Sequence, residues 1–182
     1  MVSLVMKKWD SLENLYIEYY DEIFRYLLKR VQRIELAQDL TQDTFIKAFN
    51  GLSSFQGKSS IKTWLYTIAH NTFINWYRRD TKFHYHSIDI VQPMEQTLYS
   101  DPVASFQLKE KQQEVIHLIF KLKQDYQHVL ILREFQELTY EEIAEVLDWK
   151  LSKVKTNLHR AKLELKKCIA KKEDDIDELF SN

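Results

Sequence analysis

Turn-forming residues are scarce in this chain, with only two glycines and two prolines among 182 residues. Such a composition points to an almost entirely helical protein with few tight turns. Cysteine is nearly absent too. The single one, Cys168, excludes a disulfide framework or a cysteine-based zinc site within one chain. No apolar run approaches the roughly 20 residues that a membrane-spanning helix needs, so no direct membrane insertion is expected. The opening MVSLVMKK is too short and too interrupted for a signal peptide. The default expectation is a soluble, cytoplasmic chain. No cluster of metal ligands, glycine-rich phosphate loop or nucleophile constellation stands out, so neither a cofactor nor an enzyme is expected.

Apolar residues make up 45% of the sequence, enough for a packed core without covalent staples. The net charge of −1 hides a strong segregation. From Lys150 to Lys172 there are nine Lys or Arg and one acid, Glu164. From Arg133 to Asp148 there are one base and six acids, and 173–178 adds five more acids. What a binding partner feels is the local field, not the sum. The stretch REFQELTYEEIAEVLDWKLSKVKTNLHRAKLELKK (133–167) therefore reads as an acidic helix, a tight turn and a basic helix. That is the outline of a helix-turn-helix DNA reader. A charge run taken alone also fits an ordinary solvated face.

Helical periodicity organises the rest. Asp10 and Glu13 resemble a capping box. Leu12, Leu15, Tyr16, Tyr19, Ile23, Tyr26, Leu27 and Val31 then recur at helical spacing. A second helix fits 35–50, with Ala37, Leu40, Thr41, Phe45, Ala48 and Phe49 inward and Gly51 as its C-terminal cap. Residues 53–60 form a loop containing Gly57. A third helix follows from Ile61 to about Arg79, capped by Ser59 or Ser60. Residues 84–104 hold both prolines and no sustained period, as an interdomain linker would. Helices resume at 105–123 and 125–136. Thr139 with Glu142 forms a further capping box for a helix ending near Leu147, and a last helix spans 152–172. The fold class expected is all-α: two small helical domains on a flexible linker, the C-terminal one a helix-turn-helix.

In the last helix Val154, Leu158, Ala161, Leu165 and Ile169 form an inward stripe. Lys153, Lys155, Thr156, Asn157, His159, Arg160 and Lys162 are left largely toward solvent. Cations in a first helical turn oppose the helix dipole, each by roughly 0.3–1 kcal/mol. A DNA-reading helix, however, enters the groove by that end. Side-chain geometry suits Lys155, Asn157 and Arg160 to base edges. Lys153, Lys162 and Arg133 suit phosphates, and His159 fits either. In the N-terminal half, Phe55, Trp64, Tyr66, Phe73, Trp76 and Tyr77 crowd near Lys58, Lys62, Arg78, Arg79 and Lys82. Rings interleaved with cations suit single-stranded nucleic acid, and equally a well-packed aromatic core with surface charge. Asp39 and Asp43 lack any companion that would make them a catalytic pair. His84 and His86 lack a third metal ligand.

The segment LAQDLTQDTFIKAFNGLSSFQGKSSIKTWLYTIAHNTFINWYRR resembles region two of the extracytoplasmic-function sigma factors of bacterial RNA polymerase. YQHVLILREFQELTYEEIAEVLDWKLSKVKTNLHRAKLELKK resembles their region four. The order and spacing of the two are also similar. The resemblance implies an alternative sigma factor, with region two at 1–83, a linker at 84–107, region four at 108–172 and an acidic tail at 173–182. It implies that Asp39, Gln42, Asp43 and Lys47 dock on the clamp helices of the polymerase's largest subunit, with the flap a further contact. Phe55 and Asn71 would take a base flipped from the −10 element, with Lys58, Lys62, Arg78 and Arg79 nearby on the single strand. Arg133, Lys153, Lys155, Thr156, Asn157, His159 and Arg160 would meet double-stranded −35 DNA. An anti-sigma factor, membrane-anchored in many members, would hold the chain at the inner face of the membrane. The chain departs from the family at several points. Lys123 follows Leu122 where proline is common, Asp148 replaces the turn glycine, Asn157 stands for arginine and Asn75 for aspartate. The other function open to such a sequence is a stand-alone helix-turn-helix regulator with a helical sensing or dimerisation domain.

Overall fold

The computed structural model describes residues 12–84 and 110–180, which form two compact units. All regular structure among the described residues is helical. The first unit packs three helices on one another: α1 (Leu12–Val31), α2 (Ile34–Leu52) and α3 (Ile61–His84). Leu15, Ile23, Tyr26, Leu27 and Val31 of α1 are buried as their spacing requires, while Tyr16 stays 39% exposed. The cap expected at Asp10 lies outside the described residues.

α2 buries Ala37, Leu40, Thr41, Thr44, Phe45 and Ala48. The two threonine hydroxyls donate to the carbonyls of Ala37 and Leu40, at 2.6 and 2.7 Å, so each hydroxyl enters the core already paired. Two sequence expectations fail on this helix. Phe49 is not inward but 55% exposed, because it lies at the edge of the apolar stripe. Gly51 is not a cap but lies within the helix, which ends at Leu52. Its use is close approach: a Cβ there would stand 3.3 Å from the Trp64 ring. Gly57 supplies the left-handed turn of the following loop, with φ 66°. Ser60 caps α3, its Oγ accepting from the Thr63 backbone N–H at 3.0 Å. α3 continues past Arg79 to His84.

A buried polar set, unforeseen in the sequence, joins α1 to α3. Arg30 is only 5% exposed, and its guanidinium lies 4.3 Å from the Phe73 ring centroid. Tyr26 Oη and His70 Nδ1 are 3.2 Å apart beside it. Burial lowers the Arg30 pKa to about 10 and raises that of Tyr26 to about 12. It also lowers His70 to about 3, with the Arg30 charge acting in the same direction.

The C-terminal part of the chain comprises α4 (Glu110–Phe120), α5 (Gln124–Leu130), a π-helical turn (Ile131–Phe135), α6 (Tyr140–Leu147) and α7 (Leu151–Phe180), all of it in the second unit except Glu145–Leu147. α4, α5 and α7 pack together. The α4–α5 corner, where Lys123 stands in place of the proline common in the resembled family, is held by Gln127, whose Nε2 donates to the Phe120 and Leu122 carbonyls at 3.1 and 2.9 Å. The helix expected at 125–136 is present, but its second half is wound as a π turn. Thr139 and Glu142 form the reciprocal capping box: Glu142 Oε2 accepts from the Thr139 N–H at 2.8 Å, and Thr139 Oγ1 from the Glu142 N–H at 3.2 Å. Asp148 takes the left-handed turn, with φ 52°. Val154, Leu158 and Ala161 are buried, and Leu165 and Ile169 half-buried. α7 runs unbroken to Phe180, eight residues past the end expected at 172. The expected linker, from residue 85 onward, and the start of the helix expected at 105 lie outside the described residues.

Candidate functional site

Three surfaces carry the residues singled out by the sequence. The first is the outer face of α2. Asp39, Gln42, Asp43 and Ile46 share one side of the helix, all exposed, with Phe49 at its flank. Ile46 is 60% exposed. Acids and an amide thus surround two uncovered apolar side chains, an arrangement suited to an apolar-centred, polar-rimmed contact. The fourth residue of the set leans away: Lys47 Nζ donates to Thr72 Oγ1 of α3 at 3.0 Å. Ile46 falls outside the buried α2 stripe, and that offset is the sequence signal that was missed.

The second surface combines the 53–60 loop with α3. The Phe55 ring tilts against Trp64, with centroids 5.0 Å apart. Trp64 rests in turn beside Gly51. Trp64, Asn71 and Arg78 recur every seven residues on one stripe of α3, and Asn71, Arg78 and Arg79 are exposed. Lys58 is exposed in the loop. Lys62 is not brought to this stripe. It lies on the opposite side of α3, paired with Glu22 of α1 at 2.9 Å and 6.0 Å from the Tyr66 ring centroid.

The third surface is the start of α7. Lys153, Lys155, Thr156, His159 and Arg160 are exposed there, while Asn157 is half-buried beside the inward stripe. Asn157 Nδ2 donates to the Lys153 carbonyl at 2.9 Å. Arg133 is engaged inside the unit: Nη1 donates to the Leu138 carbonyl at 2.8 Å, and the guanidinium lies 5.1 Å from the Tyr140 ring centroid. It ties the π turn to the start of α6. Behind these residues, Val115, Ile119, Leu130, Phe135, Leu165 and Ile169 line an apolar groove of about 340 Å³. The Glu134–Lys162 pair at 2.8 Å stands at its edge.

A helix-turn-helix with a basic outer stripe, in a chain that also carries a separate three-helix unit, matches two family descriptions. Sigma-70 region 2 covers residues 15–83, and Sigma-70 region 4 covers 112–165. The RNA polymerase sigma factor YlaC of Bacillus subtilis is 55% identical, over 93% of this chain and 98% of its own length. The chain belongs to the extracytoplasmic-function sigma factors of RNA polymerase. Another relative, SigW of the same organism, is 30% identical over 87% of this chain and 88% of its own. The fold of this sigma factor is also that of Bartonella quintana RpoE, solved with the anti-sigma factor NepR. That match has a TM-score of 0.69 at 22% identity and covers 87% of this chain and 96% of the other. CnrH, solved with the cytosolic domain of CnrY, gives a TM-score of 0.64 at 18% identity, over 87% of each chain. This protein is thus an alternative sigma factor: it binds core polymerase and directs promoter-specific initiation. Among the described residues, no helix is long and apolar enough to cross a membrane and no group of side chains is set to hold a metal.

Proposed function

We propose that residues 1–83 dock on the polymerase and melt the −10 element, while 108–172 anchor the −35 element, with 84–107 as the tether between them. The observation that carries this division of labour is the outer face of α2. Ile46 and Phe49 are exposed there beside Asp39, Gln42 and Asp43. Burying two such side chains against the clamp helices contributes roughly 1.5–3 kcal/mol each, and the acids around them set the register. Lys47, held by Thr72, stiffens the α2–α3 pair behind that face.

On the second surface the Phe55 ring and the Asn71 amide offer stacking and hydrogen bonding to an unpaired base, with Lys58, Arg78 and Arg79 beside the strand. Flipping a base costs a few kcal/mol, and stacking on an aromatic ring returns roughly 1–3 kcal/mol. Binding energy alone then opens the duplex. On the third surface Lys155, Asn157 and Arg160 meet base edges, and Lys153, Thr156 and His159 flank them. Arg133 acts from behind, by fixing α6. The apolar groove between α4 and α7 seats the polymerase flap. An anti-sigma factor, anchored at the inner face of the membrane, covers these surfaces until it is removed.

The test is transcription from candidate promoters with purified core polymerase, together with core binding by this chain and its Ile46→Ala, Phe49→Ala variant. Support for initiation, with core affinity lowered at least tenfold in the variant, is the expected result. A chain that binds duplex DNA but neither binds core nor initiates would overturn the assignment.

A further inference from the structure

One exposed lysine in the first turn of α7 is not idle in the free protein. Lys153 Nζ lies 3.4 Å from Asp125 Oδ2 of α5 and 3.5 Å from the centroid of the Trp149 ring. Both Lys153 and Asp125 remain about half exposed, so the pair sits where DNA would arrive and is open to exchange. The two contacts answer a local problem. An ammonium in the first turn of α7 faces the positive end of the helix dipole. A carboxylate and a ring face beside it offset that repulsion. A DNA phosphate would offer the same ammonium the same kind of contact. One cation cannot serve the carboxylate and the phosphate equally.

We propose that Asp125 is a guard on Lys153: it holds the ammonium in the free protein and competes with DNA phosphate for it, so that Asp125 sets how weakly the second unit binds duplex DNA. This rests on the reading of α7 as the DNA-contacting helix. Trp149, next to the turn at Asp148, keeps the ammonium near the helix start, so that release from Asp125 is a short swing. Asp125 touches no DNA in this account; it positions Lys153. Glu134 pairs with Lys162 at the groove behind and takes no part in this contact.

The test uses the full chain and a short mixed-sequence duplex, since phosphate contacts do not depend on sequence. Affinity is followed by fluorescence anisotropy across a salt series. Lys153→Ala is expected to weaken binding and to reduce the salt slope by about 1. Asp125→Asn is expected to tighten binding about two- to fivefold, the range of an exposed ion pair. Asp125→Glu, which keeps the charge, is expected to bind like the parent. In the Lys153→Ala background, Asp125→Asn is expected to change nothing. A gain that persists in that background would be general repulsion and would overturn the guard, as would an Asp125→Asn variant no tighter than the parent. In either case a Lys153→Ala loss leaves the DNA-contacting role of α7 standing. If Lys153→Ala alters neither affinity nor slope, that role fails at Lys153 and the guard fails with it.

Discussion

His70 shows what a single buried residue does to this protein. Its ring is held neutral down to about pH 3 by burial and by the Arg30 charge, whereas in an unfolded chain it takes a proton near pH 6.5. Between those values the unfolded chain binds one proton more than the folded one, so stability falls as the pH falls through that window. The slope from this residue approaches about 1.4 kcal/mol per pH unit. Urea unfolding at stepped pH from 7.5 down to 5 should show the loss. A His70→Gln variant, which cannot take the proton, should lose that part of the slope while keeping a partner for Tyr26 (the two side chains are 3.2 Å apart in the parent). One residue along α3, Asn71 is exposed and so has no such packing role. Asn71→Ala should leave stability within about 0.5 kcal/mol. Promoter opening by the holoenzyme should slow by roughly two- to tenfold, the cost of one lost hydrogen bond to an unpaired base. Initial binding to closed duplex should change far less. Permanganate footprinting against filter binding separates the two steps, and an equal loss in both would remove the flipped-base role.

At the scale of elements, the helix-turn-helix depends on how α6 begins. Thr139 and Glu142 satisfy each other's backbone N–H groups there. Thr139→Ala should cost about 1 kcal/mol, read as a lower urea midpoint, and Thr139→Ser should restore it. This capping box was legible in the sequence because its chemistry is local: the partners are three residues apart and need no knowledge of the fold. The buried stripes of α1, α2 and α7 were legible from spacing, whereas Asp148 at the left-handed turn was noticed only because it stands in place of the family's glycine. Gly51 was misjudged because its purpose is tertiary. It makes room for Trp64, thirteen residues along the chain on another helix, and nothing near it in sequence says so. Phe49 was misjudged because spacing alone cannot say how wide a buried stripe is. The π turn at Ile131–Phe135 was invisible to periodicity, since it adds a residue to a helical turn without breaking the apolar run. The partners of Lys153 and Lys62 come from other helices, Asp125 of α5 and Glu22 of α1. No pattern along the chain could have named them.

For the whole molecule the question is how a chain of net charge −1 binds DNA at all, and α7 supplies the answer. The residues proposed to contact bases lie at one end and the acids of 173–178 near the other. The helix is continuous through Phe180, so the acidic segment cannot fold back on the basic start of the same helix. At about 1.5 Å per residue, Glu173 stands roughly 30 Å along the axis from Lys153. The Debye length is about 8 Å at physiological ionic strength and about 30 Å at 0.01 M. The acids are therefore nearly silent at the reading end in the first condition and felt in the second. Removing residues 173–182 should leave duplex affinity within about twofold at physiological salt and raise it by more than that at 0.01 M. Anisotropy titrations of the full chain and the shortened one at both salt concentrations check this. A large gain at physiological salt would mean that α7 opens near residue 172 and that the acids do cover the basic end. No change at either salt would mean that the segregation of charge along α7 matters to something other than DNA.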